Sequence, residues 1–264
     1  MEQRYWAKRI EEQMRLERMR SNRENTKALS RIYTQAQEDC IRELTTILAK
    51  IEADKQGGVV MANDLYRTNT YYSLLDFFQS LAKDIGSKQY TITDNALIDI
   101  YNQAQQTITE LLPRDAIRSQ WMNPSVLTPQ DIVRQSWCID GKNFSDRIWA
   151  SKEALINDMP KTLLNSLALG KSSWSVAQEV AERLAVDERN AFRLVRTETA
   201  HFQVRSQTDK YKSYGFTHGK YLGEDCCDEC ASLNGKVFTL DEIQTLIPHH
   251  PNCTCSFEVV TQWQ

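Results

Sequence analysis

Glycine and proline are scarce, at 9 and 6 of 264 residues, against ordinary usage of roughly 7% and 5%. Sheet-rich folds spend both on many tight turns, so the shortage excludes an all-β architecture and predicts a mainly helical chain. No uninterrupted apolar run is long enough to span a bilayer, which argues against a membrane anchor. Neither sign of charge dominates: 32 Lys/Arg against 35 Asp/Glu leave a net −3. That excludes a generally basic nucleic-acid coat, though not a local basic face. A hydrophobic content of 41% is too high for disorder. The N-terminus opens on Glu2, Arg4, Lys8 and Arg9 without a signal-peptide core, so the chain is expected on the cytosolic side. The cysteine count of 7 is odd, which argues against a closed disulfide framework.

Helical periodicity is what the chain has instead. Ile10, Met14, Ile32, Ile41, Leu44, Leu48 and Ile51 recur at helical spacing, predicting one or two long helices over 3–55 that end at Gly57-Gly58. A second pattern over 61–85 has a capped start near Asn69-Thr70. Thr93 or Asp94 is expected to cap a third that stops at Pro113. Residues 113–143 read as a linker with one short helix opening at Thr128-Pro129. Phe144, Ile148, Leu155, Met159, Leu163 and Leu167 form a stripe ending at Gly170, which Pro160 should kink or split. Ser172 or Ser173 caps the next helix, and Asp187 a longer one running to about Tyr214. Short strands follow over 216–222, 236–238 and 257–260. The expected organisation is an N-terminal helical region (1–125), a helical core (126–214) and a small C-terminal α+β zinc-binding unit (215–264). That last unit should fold even without residues 1–55.

Cys40 and Cys138 stand alone and read as small hydrophobes. The other five cysteines crowd into the last 39 residues. Cys227 and Cys230 lie two residues apart, followed by His250, Cys253 and Cys255. Two such knuckles can close a tetrahedron around zinc, with Cys226 and His249 as spares. Reduced free cysteines or a C-x-x-C redox pair are the competing reading, but no thioredoxin-like context surrounds them. A closed four-ligand site would be structural, because catalysis needs an open position for water.

Ala191, Val195, Glu198 and Phe202 share one helical face, so Glu198 lies in line with a buried stripe. A carboxylate there needs a partner. Arg147 is the candidate, with Arg196 beside it in sequence, and a catalytic role is the alternative. His201 and His218 are lone histidines, and Trp121, Trp137, Trp149 and Trp174 are expected to anchor the core. Charge is segregated along the chain. Residues 1–31 carry nine Lys/Arg against five Glu, a solvated face or a docking arm for an acidic partner or DNA. Residues 189–220 carry seven cations against two acids, and residues 224–242 six acids against one cation. These blocks either satisfy each other, or Arg189, Arg193, Arg205, Lys210 and Lys212 offer a face for DNA phosphates.

The ordered set F144-S-D-R-I, G170-K-S-S-W, R193-L-V-R-T-E, C227-D-E-C, L233-N-G-K-V-F and H250-P-N-C-T-C resembles the phage head morphogenesis family. These are the Mu F-like, portal-associated minor head proteins, and the resemblance covers about residues 144–260. It implies a low-copy structural protein of a tailed-phage head, inside the head near the portal, and in the host cytoplasm during assembly. It implies the portal protein as partner, with major capsid or scaffolding protein and phage DNA as further ones, and a role in packaging or ejection. Carried over, the family's cysteine pair falls on Cys227 and Cys230, its H-P-x-C-x-C segment on His250, Cys253 and Cys255, and its R-T-E on Arg196, Thr197 and Glu198. Thr254 departs from the arginine usual between the last two cysteines. The competing functions are a zinc-dependent nuclease with Glu198 as base, and a free-standing zinc-bearing DNA-binding protein.

Overall fold

Three long helices carry the fold of the computed structural model: α1 (Glu2–Asp54), α3 (Thr70–Leu111) and α6 (Ser173–Ser213). Between and after them come α2 (Ala62–Arg67), α4 (Pro129–Val133), α5 (Phe144–Ala168), β1 (His218–Leu222), α7 (Asp228–Ala231), β2 (Val237–Thr239), α8 (Leu240–Leu246) and β3 (Ser256–Val259). The structure describes residues 2–55, 58–117, 127–223 and 227–260, with side chains from residue 5 onward. Gly57, Trp121, Pro124, Glu224, Asp225 and Cys226 lie outside the described residues. The mainly helical class with a small C-terminal sheet is as expected.

Local chemistry explains most of the ends. Thr128 with Asp131, Asn143 with Asp146, and Thr239 with Glu242 form reciprocal capping boxes that satisfy the free N–H groups opening α4, α5 and α8. At the other ends, Gly170 (φ 68°) and Gly215 (φ 82°) take the left-handed turn that closes α5 and α6. There the Gly170 and Lys171 amides donate to Leu167 and Ser166, and those of Gly215 and Phe216 to Lys212 and Tyr211.

Three expected boundaries are absent. Thr93 and Asp94 do not start a helix; both are buried within α3, where Asp94 accepts from Arg134 at 3.0 and 3.2 Å. Asp187 does not cap either; it is buried inside α6, bonded to Lys152. Short polar side chains favour caps because they can satisfy a free N–H, and for Asp94 and Asp187 a tertiary partner removes that need. Pro160 lies inside α5 without dividing it. Buried Met159, Leu163 and Leu167 on either side outweigh the helix penalty of about 3 kcal/mol.

The chain forms two compact units. Unit 1 joins residues 1–26, 93–136 and 193–264, and unit 2 joins 27–92 and 137–192. Unit 2 is helical, with buried Leu44, Leu48, Phe78, Leu155, Leu163 and Val180. Gly86 of α3 admits α5 closely, since a β-carbon there would stand 2.8 Å from Trp149 and 3.0 Å from Lys152. The tryptophans depart from expectation: Trp149 is 41% and Trp174 57% exposed, and Trp137 is half-buried.

Unit 1 holds the sheet, ordered β2-β1-β3 and antiparallel throughout, with Lys220 opposite Val237 and Tyr221 opposite Phe257. Its core joins the start of α1 (Trp6, Ala7, Ile10, Met14) to Tyr211, Phe216, Tyr221, Ile243, Phe257 and the buried cysteines Cys230, Cys253 and Cys255. The C-terminal sheet therefore does not have a core of its own. The N-terminal helix completes it.

Candidate metal centre

The two cysteine knuckles come from separate backbone turns. Cys227 is the residue preceding α7 and Cys230 lies within it. His250, Cys253 and Cys255 sit on the irregular segment leading into β3, where the Cys253 amide donates to the His250 carbonyl at 3.1 Å. Asn252 there takes a left-handed φ of 63°, a conformation asparagine tolerates better than most residues.

The fold brings the knuckles together. Cys227, Cys230 and His250 present ligand atoms within 4.8 Å of one another, and so do Cys230, Cys253 and Cys255. Tetrahedral zinc–thiolate geometry asks for sulfurs about 3.8 Å apart. All five expected donors thus fall into two triads that share Cys230. Cys230, Cys253 and Cys255 are buried, His250 is half-buried and Cys227 is exposed. His249, the spare, stands 3.9 Å from Glu229.

Electrostatics favour deprotonated sulfur at two corners. Hydrogen bonding from Cys255 and from backbone amides pulls the Cys253 thiol down to about 4. The Cys227 thiol is lowered by the Cys230 amide, with His250 adding to the effect, and its Sγ lies 3.2 Å from His250 Nε2. His250 is raised by the Pro251 carbonyl and by the neighbouring thiolates. Burial pushes Cys230 up to about 11. Thiolate and imidazole within reach of one point can hold a soft or borderline cation.

The surroundings of the second knuckle went unseen in the sequence. Arg18 of α1 is buried and donates to the Cys255 carbonyl at 2.9 Å and the Thr254 carbonyl at 2.8 Å. Ser256 donates to Glu11 at 2.7 Å, and the Asn252 amide donates to the Thr197 hydroxyl at 3.1 Å. Arg18 was findable, because it continues the apolar stripe Ile10, Met14 at spacing four.

Glu198 is buried at 2% exposure, as expected. Arg147 stands in unit 2 and donates to both oxygens of Asp140, at 2.8 and 3.0 Å. A carboxylate seven residues away costs little chain ordering to reach. Within unit 1, Trp6 packs on Phe216 and Gln203 donates to the Met14 carbonyl. Arg196 is exposed. His201 is buried, and burial drops its imidazole to about 3, so it is neutral.

The basic block is partly satisfied inside unit 1. Arg205 pairs with Asp209 at 2.9 Å, Lys212 with Asp241, and Lys210 lies over the Tyr214 ring at 4.9 Å. Arg189 and Arg193 are exposed. The buried ion pair with the strongest geometry is one the sequence reading missed. In unit 2, Lys152 bonds Asp187 and donates to the Tyr33 hydroxyl at 2.6 Å, and that hydroxyl donates to Asp187 at 2.7 Å. Ser151 also bonds Asp187, and Gln89 lies 3.1 Å from Tyr33.

With this geometry in hand, comparison with known proteins becomes informative. Residues 157–258 match the family described as Phage Mu protein F like protein. It is the family the motifs resemble, and the matched stretch spans α6, the sheet and the cysteine cluster. The Mu F-like family suggests a phage head morphogenesis protein. Curated proteins and solved structures gave no significant match. Among the described residues, no helix is long and apolar enough to cross a membrane.

Proposed function

We propose that the protein is a non-enzymatic minor component of a tailed-phage head that binds the portal protein during procapsid assembly, with one structural zinc ion in the cysteine cluster. The observation that carries this reading is how the matched segment uses its signature residues. Thr197 of the signature accepts from the Asn252 amide, and Arg18 of α1, outside the matched segment, holds the Thr254 and Cys255 carbonyls, so the second knuckle is braced inside a core. Four donors drawn from the two triads that share Cys230 would fill the coordination of a zinc ion, which would leave it a structural role.

The partner surface follows from α1. Its outer side in unit 1 exposes Tyr5, Leu16 and Met19 at 72%, 50% and 58%, among exposed Lys8, Arg9, Arg15, Arg20 and Arg23. Large apolar side chains among cations suit an acidic protein surface better than DNA phosphates, which gain nothing from Leu or Met. Arg205 and Lys212 already pair internally, which lowers the case for DNA.

The test is co-expression with the portal protein of the same phage. The wild-type chain should co-purify with the portal, and a Leu16→Glu/Met19→Glu variant should not, with its helix content unchanged. Failure of the wild-type chain to co-purify would sink the reading.

A further inference from the structure

The inference here rests on the metal reading above and concerns a residue outside the ligand set. Tyr221 of β1 is fully buried, yet its hydroxyl makes no hydrogen bond among the described residues. Buried hydroxyls are nearly always partnered, and an orphaned one asks for an explanation. The polar groups facing it are the Cys255 and Cys230 side chains. A neutral thiol is a weak acceptor, whereas a thiolate is a strong one. Metal-bound sulfur is thiolate, so a loaded site would offer the buried hydroxyl a strong acceptor.

The ring is held there by the backbone. A β-carbon on Gly223 would stand 2.9 Å from the Tyr221 ring and 2.8 Å from the Cys230 carbonyl. Any larger residue would push ring and knuckle apart. On its other side Tyr221 packs edge-on to Phe238, with centroids 6.4 Å apart.

We propose that Tyr221 is the positioning residue of the metal centre, its hydroxyl donating to the metal-bound thiolates of Cys230 and Cys255. Metal binding then supplies the acceptor that the free chain lacks. The donor in turn disperses sulfur charge and fixes the orientation of both thiolates, as outer-shell partners do in metal sites generally.

Tyr221→Phe in the full-length chain separates this from a packing role, because the two states respond with opposite sign. Without metal, removing an orphaned hydroxyl should leave thermal stability equal or raised. With zinc, chelator competition should show affinity weakened about 10–100-fold. In the cobalt-loaded protein the thiolate-to-metal absorption band should move to lower energy. A 3-fluorotyrosine at 221, a stronger donor, should move it the other way. Unchanged affinity and unchanged absorption in Tyr221→Phe would overturn the proposal while leaving the metal centre standing. A wild-type chain that takes up neither zinc nor cobalt would overturn both.

Discussion

At the scale of single residues, the buried charges are where sequence and structure inform each other most. A lysine or aspartate at 1–4% exposure survives only when paired, because desolvation is costly. Lys152 and Asp187 meet that demand with Tyr33, Ser151 and Gln89 around them. Removing one member strands the other. Lys152→Met should therefore cost about 3–5 kcal/mol, read as a lowered midpoint in denaturant unfolding. Pairing it with Asp187→Leu should recover most of the loss, since an apolar pair of similar volume carries no desolvation penalty. If the single variant is as stable as wild type, the network is not the buttress described here. The pair was legible in principle. Ile148, Lys152, Leu155 and Leu184, Asp187, Ala191 place each charge on an apolar stripe, the same argument that found Glu198 buried. What the stripe does not contain is the partner's identity, which depends on which helices meet. Arg147, expected to meet Glu198 across the packing of two helices, pairs with Asp140 seven residues away.

At the scale of elements, α1 decides more than its composition implies. Its first turns supply Trp6, Ala7, Ile10 and Met14 to the core that also holds the sheet and three cysteines. Arg18 and Glu11 grip the strand-side knuckle from the same helix. This shared core argues against the expectation that the C-terminal unit folds without residues 1–55. Deleting residues 2–26 should unfold β1, β3 and the knuckles together, and Met14→Ala alone should cost about 2–5 kcal/mol. Circular dichroism and metal uptake of the truncated chain would check this. Retained sheet and full uptake would refute the shared core. Element types and ends were well read where the signal is local: the Thr128-Pro129 start, the Gly170 and Gly215 stops, and the three strands. Elements were over-divided at Asp94 and Asp187, where a side chain that could cap is instead spent on a distant partner, and at Thr93, which is buried within α3 with its hydroxyl unpartnered among the described residues. The tryptophans failed for a related reason: Trp149 and Trp174 lie at the edge of their helices' buried faces, and size alone does not say which face a residue occupies.

At the scale of the whole molecule, the two compact units draw their order from different chemistry. Unit 1 couples hydrophobic burial to thiolate and imidazole groups that a cation can join, so part of its folding free energy is metal binding free energy. Unit 2 relies on helix packing and a buried Lys–Asp–Tyr network with no metal-ligating cluster among its described residues. Helices α1, α3 and α6 each contribute residues to both units. The consequence is testable by hydrogen exchange on the full chain, with and without a strong chelator. Stripping zinc should speed exchange in β1, α7, β3 and the first turns of α1, since their amides share the core that the cluster completes. The amides of α5 and of α1 beyond Lys27 should keep their protection, because nothing in the Lys152 network changes when zinc leaves. Such a split would tie the first helix to the metal centre some 230 residues away in sequence. Uniform loosening of both units would instead mean that the metal stabilises the chain as one cooperative body, and no change anywhere would mean that the cluster contributes nothing to folding.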